Sequence, residues 1–307
     1  MCYSALVEAD YRNYLRMTGA EMDLDQFLEI FTARIEDRSI RIPRALDRAF
    51  DEPRTPKERA IHDAIVAWRD AEGTRLEKEL FSQRKRLADA ERKLATKTTR
   101  AALESRRIAT NKVAQAMARL PLVRGNAPHP NDARIFPMTW TPLVVDDGGR
   151  RVVRLARYHC RPEGHPADVD RRFPGLYNAR RDNLTRFWRE HFGRTHGLML
   201  VHSFFENVER DGQNQVLQFV PQPPQAMFVA CLHSSWRGAD GREMLTCAAI
   251  TDEPPDEVRA AGHDRIIVNL APENLDRWLA PAGRPLEELQ EILTERRRPY
   301  YEHRIAA

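Results

Sequence analysis

Leu143-Val144-Val145-Asp146-Asp147-Gly148-Gly149-Arg150-Arg151-Val152-Val153-Arg154-Leu155 reads as two strands joined by a tight turn. Two apolar runs rich in β-branched residues flank an Asp-Asp-Gly-Gly segment, and glycine supplies the positive φ that a short hairpin loop requires. Toward the C-terminus the pattern repeats. GLMLVHSFF, QVLQFV, AMFVACL, EMLTCAAI and RIIVNL are further apolar runs of strand length, with a turn at Asp211-Gly212 between the first two. One helix is expected to start near Asn183 (LTRFWREHF) and another near Pro272 (ENLDRWL). This half predicts a mainly antiparallel α+β domain.

Toward the N-terminus the period changes, and residues from about 8 to 120 read as helical. Asp23 precedes LDQFLEIFTARI, with Leu24, Phe27, Leu28 and Phe31 at helical spacing. Thr55-Pro56-Lys57-Glu58 combines a capping box with proline at the first helical position. From there Ile61, Ile65, Trp68, Leu76, Leu80, Leu87, Leu94, Ala101 and Ile108 keep one stripe apolar, the last five at a seven-residue spacing. Such a narrow seam suits a helical hairpin, a coiled coil, or self-association through residues 76–108. A break is expected at Gly73, and Pro121 with the Gly125 to Pro130 stretch should end the helix. The architecture predicted is a β-rich domain from residues 1–20 and 126–307, carrying residues 21–125 as a long helical insertion near the N-terminus.

A chain of 307 residues that is 42% hydrophobic can bury the core of one or two domains. No window approaches the roughly 20 apolar residues of a membrane span, and MCYSALVEADYRNYLR lacks an apolar stretch of signal-peptide length. A cytoplasmic protein with no membrane partner is therefore expected. Cys2, Cys160, Cys231 and Cys247 include no CxxC pair and are expected to stay reduced. His159, Cys160 and His165 lack a second ligand pair, so no metal is expected. The net charge of +4 is modest but uneven: Arg75 to Arg119 holds 13 Lys or Arg against 5 acids. A solvated helix face and a contact surface for nucleic-acid backbone both fit that excess.

Cys2 follows Met1 directly. Removal of Met1 would place an α-amine (pKa about 7.7 to 8.0) beside a thiol (pKa about 8.5), two nucleophiles partly active near neutral pH. That pair can trap an aldehyde, the amine as a Schiff base and the thiol by closing a five-membered thiazolidine. Alone, a cysteine is equally a small apolar residue.

Three downstream segments carry more: Tyr177-Asn178-Ala179-Arg180-Arg181-Asp182, Ser203-Phe204-Phe205-Glu206-Asn207 and Gly262-His263-Asp264-Arg265. With Cys2, their order resembles the SOS response-associated peptidase (SRAP) family, whose members crosslink through an N-terminal cysteine to abasic sites in single-stranded DNA. The family's NAR-x-E looks like NARRD here, GFYEW like SFFEN, and HxRMP like HDRII. Arg157-Tyr158-His159-Cys160-Arg161-Pro162 is similar to its RWGLIP-like segment. The opening departs, MCYS standing where the family reads MCGR, so the early arginine is missing. The resemblance covers the first few residues and roughly 134–280.

The resemblance implies Cys2 as nucleophile, Asn178 orienting the N-terminus or the opened sugar, Glu206 shuttling protons, and His263 protonating the ring oxygen of the abasic deoxyribose. It implies Arg180 and Arg265 as phosphate clamps and Tyr158 in the place of the family's aromatic. By residue type, Tyr158, Trp140 and Phe136 could stack unpaired bases of the DNA or wedge a duplex end. The resemblance also implies thiol autopeptidase activity, a possible lyase activity, no metal or organic cofactor, abasic single-stranded DNA as partner, and association with the nucleoid when DNA is damaged.

Each residue also has a plainer role. Glu206 reads equally as a solvated strand residue, His263 as a turn or cap residue, Asn178 as a turn residue, Arg180 as half of a surface ion pair, and the aromatics as core. Two other functions stay open: an N-terminal-nucleophile amidohydrolase such as a glutamine amidotransferase, and a non-enzymatic basic helical protein that binds nucleic acid.

Overall fold

The computed structural model describes residues 4–125, 127–210, 212–238 and 241–306. In chain order the elements are β1 (Ser4–Val7), α1 (Tyr11–Thr18), β2 (Glu21–Met22), α2 (Leu24–Ala33), α3 (Arg44–Arg48), α4 (Pro56–Thr96) and α5 (Arg100–Arg124). There follow β3 (Arg134–Ile135), β4 (Trp140–Asp147), β5 (Arg150–Tyr158), α6 (Val169–Arg172), β6 (Asn178–Arg180), β7 (His196–Arg210), β8 (Gln213–Gln222) and β9 (Met227–Arg237). The chain closes with β10 (Glu243–Asp252), α7 (Asp256–Ala260), β11 (Ile266–Ile267), α8 (Leu275–Leu279), α9 (Leu286–Thr294) and β12 (Tyr300–Ile305). The fold is α+β.

The hairpin expected at Asp146 to Gly149 joins β4 to β5, with Gly148 at φ 63° and Gly149 at φ 84°. Two positive φ angles in the loop match a turn whose twist continues that of the strands. From this hairpin the sheet curls back on itself: β4 pairs with β7, β7 with β9, β9 with β10, and β10 with β5, which closes a barrel. The β5–β10 contact is parallel, as are β2 on β5 and β6 on β10, and the remaining ladders are antiparallel. Leu143, Val145, Met199, Val201, Val229, Cys231, Cys247 and Ala249 fill the interior. The outside is also covered. The Tyr14 hydroxyl of α1 donates to the Pro142 carbonyl at 2.9 Å, and the Trp278 indole N–H of α8 donates to the Gly197 carbonyl at 3.0 Å. Burial on both faces explains why the barrel strands read as unbroken apolar runs.

β7 runs for 15 residues, longer than the barrel needs. Its second half leaves the ring and pairs with β1 on one side and β8 on the other, Ser4 opposite Phe205 and Glu206 opposite Leu217. β8 carries β12, and β1 carries β3. Phe204 stacks on Phe219 with ring centroids 5.1 Å apart, and Tyr301 meets Phe204 edge-on at 5.4 Å.

The chain forms two compact units, Met1–Ile30 with Ile40–Glu52 and Asn131–Ala307, and Phe31–Ser39 with Pro53–Pro130. The first contains the sheet and also takes in segments that the sequence boundaries assign to the insertion. Phe27, Leu46 and Phe50 are buried there, with Tyr11 stacked on Phe50 at 5.2 Å.

In the second unit α4 and α5 form a helical hairpin. Thr55 and Glu58 make the expected capping box. The break comes after Thr96 and not at Gly73, because Thr99 can cap a new helix by accepting from the Ala102 N–H. Gly73 stays helical and serves a different end: a Cβ there would lie 2.3 Å from Nε of Arg124, whose guanidinium pairs with Asp70 at 2.9 Å. Pro121 does not stop α5 but lies inside its last turns. The seam on α5 consists of Ala102, Ala109, Ala116 and Val123, one residue out of step with the expected Ala101 and Ile108. The chain reversal at 97–99 resets the phase of the stripe, and alanine lets the two helices approach closely.

LTRFWREHF forms successive turns instead of an α-helix. Its Trp188 N–H bonds the Asn183 carbonyl five residues back, while Leu184, Trp188 and Phe192 are buried, so packing of the bulky side chains overrides the helical period. RIIVNL forms a strand only over Ile266–Ile267, and the expected turn residue Asp211 lies outside the described residues. Among the described residues no helix is long and apolar enough to cross a membrane.

A candidate nucleic-acid cleft with a buried acid-base pair

Glu206 is wholly buried at 0% exposure on the second half of β7. The residue that meets it is delivered by a helix end. After α7 the Gly262 N–H bonds the Arg259 carbonyl and the His263 N–H bonds the Val258 carbonyl, the paired bonds of a Schellman motif, with Gly262 at φ 99°. The motif turns the chain so that His263 points at β7, its Nε2 lying 3.1 Å from Glu206 Oε2. His263 Nδ1 donates to the Arg265 carbonyl at 3.0 Å, which places one proton on that nitrogen. At that distance from Glu206 a proton could pass between the two side chains. Burial pushes the His263 pKa below 6.5, opposed by the Arg265 carbonyl.

Asn178 opens β6, held parallel to β10 opposite Ala249, and is buried at 7% exposure. The Tyr158 hydroxyl donates to its Oδ1 at 3.4 Å. Tyr158 itself is 2% exposed and packs edge-on against Tyr177 at 5.7 Å, so no base can reach its ring; it orients Asn178 instead of stacking on DNA. Trp140 is likewise buried at 6% exposure, whereas Phe136 is exposed.

Arg180, Arg259, Arg265, Asp182, Asp264 and His263 are among the residues around a cleft of about 500 Å³. Arg180 is half exposed and paired through both ends of its fork with Asp182, at 3.1 and 2.5 Å. That hydrogen bonding lowers the Asp182 pKa. Arg265 is mostly buried and lies 3.7 Å from Asp264. Arg181, which also borders the cleft, is engaged with Asp252, Gln290 and Thr294 and so serves the scaffold. The arrangement brings Glu206, His263, Arg180 and Arg265 to one side of the molecule.

Cys2 lies outside the described residues. The other three cysteines are fully buried, and burial raises their thiols, Cys160 to about 12, so none of them is a nucleophile at neutral pH.

At the start of β1 one interaction carries no signal in the local sequence. Arg134 of β3 lays its guanidinium over the Phe205 ring at 3.7 Å and donates from Nε to Ser4 Oγ at 3.0 Å. Nothing local in Asp132-Ala133-Arg134 distinguishes this arginine, because its partners lie about 130 and 70 residues away in sequence.

The chain is 26% identical over 154 residues to "Abasic site processing protein YobE" of Bacillus subtilis, a span of 49% of this chain and 68% of that protein. It is 27% identical over 121 residues to "Abasic site processing protein YoqW" of the same bacterium, 38% of this chain and about half (54%) of that protein. Among solved structures, a protein from Bacteroides thetaiotaomicron matches at TM-score 0.48 and 15% identity, over 57% of this chain and 77% of its own. One from Bordetella bronchiseptica matches at TM-score 0.48 and 19% identity, over 59% and 90%. The SOS response associated peptidase (SRAP) family matches residues 97–305, a span that includes Asn178, Glu206 and His263 and leaves residue 2 outside. By that match, over more than half its length, the chain belongs to the SRAP family.

Proposed function

We propose that this protein processes abasic sites in DNA, recognising them in single strands and bonding to them through Cys2 once Met1 has been removed. The observation that carries the reading is the buried Glu206–His263 pair beside the start of β1. Ser4 pairs with Phe205, the residue before Glu206, and Glu206 meets His263 at 3.1 Å.

The chemistry follows from these groups. The ring-closed abasic sugar must open, and a protonated His263 is suited to give its proton to the ring oxygen as the C–O bond breaks. The Cys2 amine adds to the aldehyde carbon and a proton passes from nitrogen to the carbinolamine hydroxyl, with Glu206 as shuttle. Loss of that hydroxyl as water leaves the imine. The thiolate then adds to the imine carbon while the nitrogen takes up a proton, closing the thiazolidine with no redox change. Asn178, held by Tyr158, offers a donor and an acceptor to the amine or to the opened sugar. Arg180 and Arg265 hold flanking phosphates. In the autopeptidase step the Cys2 thiol adds to the Met1 carbonyl, the Met1–Cys2 amide bond breaks to free the Cys2 amine, and water cleaves the thioester to release Met1. In a lyase step the imine loses its C2′ proton to a base as the 3′ phosphate departs, and water then hydrolyses the imine to free the amine. The SRAP match and the naming of two relatives for abasic-site processing support the substrate class.

The test is incubation with a single-stranded oligonucleotide bearing one abasic site, followed by a denaturing gel. A band that survives denaturation with abasic DNA, is absent with intact DNA and is lost in Cys2→Ala is the expected result. A stable adduct in Cys2→Ala would falsify the mechanism.

A further inference from the structure

We propose that Arg259 holds a phosphate next to the abasic sugar and contributes more to DNA affinity than the carboxylate-paired Arg180. The contact rests on the abasic-site reading above and lies outside the sequence motifs, on the last turn of α7. Arg259 is exposed and borders the cleft together with Gly262 and His263. The other arginines of the cleft already face carboxylates. Arg180 is paired with Asp182, Arg181 with Asp252, and Arg265 lies 3.7 Å from Asp264. Arg259 is in no ion pair among the described residues, and its side chain makes one hydrogen bond, from Nη2 to the Pro254 carbonyl at 3.4 Å.

That difference decides which cation a phosphate meets at least cost. At Arg180 the incoming oxygens must displace the Asp182 carboxylate from the guanidinium fork. At Arg259 they meet a charge whose fork is engaged by one long bond to a neutral carbonyl, out of five N–H donors. The backbone that carries it is fixed. The Arg259 N–H bonds the Pro255 carbonyl at 3.0 Å, and the Arg259 carbonyl accepts from the Gly262 N–H at 3.0 Å. This is the same helix end that aims His263 at Glu206, so a phosphate held by Arg259 is positioned on one rigid turn with the acid-base pair.

A single strand with one tetrahydrofuran residue in place of the abasic sugar has no aldehyde, so its binding, followed by fluorescence anisotropy, reads the contact apart from any crosslinking. Arg259→Gln keeps a donor for the Pro254 carbonyl and removes the charge. It should raise the dissociation constant about tenfold, the scale of one charge-assisted contact, and by more than Arg180→Gln does. Arg259→Lys should fall between the parent and Arg259→Gln. In the parent, one neutral methylphosphonate either 5′ or 3′ of the lesion should cause the same rise, and in Arg259→Gln that methylphosphonate should add nothing. The contact is overturned if the parent does not bind or ignores both methylphosphonates, if Arg259→Gln binds no worse than Arg180→Gln, or if it responds to the methylphosphonate as the parent does. Failure of the parent to form an adduct with natural abasic DNA, with the methylphosphonate coupling intact, removes the crosslinking reading and leaves the contact standing. An adduct without that coupling removes the contact alone.

Discussion

His263 Nε2 and Glu206 Oε2 lie 3.1 Å apart, one on the C-terminal turn of α7 and the other on β7, both buried. Two titratable groups this close and away from water can pass a proton to whatever reacts beside them, so each should matter to the reaction more than to DNA affinity. Glu206→Gln and His263→Ala should each slow single-turnover crosslinking at saturating abasic DNA by ~10²-fold or more, with binding by fluorescence anisotropy little changed. Parental rates in both variants would assign the pair to structure.

Arg180 and Asp182 make a second, exposed relationship with its own prediction. Their bidentate pair occupies the fork that a phosphate needs. Asp182→Asn should tighten single-stranded DNA binding several-fold, and Arg180→Ala should weaken it and flatten the salt dependence by about 0.7 in log–log slope, the value for one single-strand phosphate contact. An unchanged slope in Arg180→Ala would rule out the clamp.

Stability should fall as the solution is acidified through the histidine range. Burial lowers the pKa of His196 from 6.5 to about 3 and that of His233 from 6.5 to about 4, so both are neutral when folded and bind a proton on unfolding. Their contribution is therefore complete above pH 6.5 and is lost as pH falls toward the folded values, by about 1.4 kcal/mol per pH unit for each. Asp170 and Asp252, whose pKa values are lowered from 3.8 beside arginines, add losses only below about pH 4. Urea unfolding between pH 7 and pH 4.5 measures the slope, and His196→Gln should reduce it by one proton. A slope shared by variant and parent would show that His196 is not the group titrating.

The helical hairpin should be separable from the chemistry. Replacing residues 53–130 by a short flexible linker keeps Phe27, Leu46 and Phe50, which are buried in the sheet-bearing unit, and should leave adduct formation at saturating DNA intact. Affinity for long strands at low salt should drop, because the excised helices carry the +8 excess between Arg75 and Arg119. Identical dependence on oligonucleotide length in both proteins would make the basic face a solvated surface. Within the hairpin, Ala109→Leu should cost about 1 to 3 kcal/mol by overpacking a position with 0% exposure, read as a lower melting temperature.

Local physical chemistry made much of this protein legible in advance. The Asp146 to Gly149 turn, the Thr55–Glu58 capping box and most strand runs depend on neighbours a few residues apart, and Asn178, Glu206 and His263 could be singled out from short motifs. What depended on distant partners could not be read in the same way. The phase of the α5 seam was set by the reversal at 97–99, the turns after Asn183 by the burial of Trp188 and Phe192, and the demotion of Tyr158 from base contact to support by its burial beside Tyr177. The 3.1 Å approach of His263 to Glu206 and the placement of Arg134 over Phe205 join residues 57 and 71 positions apart. Only closure of the sheet through the long β7 brings such groups together, because contacts of that sequence separation are paid for by the packing of the whole core rather than by any local preference.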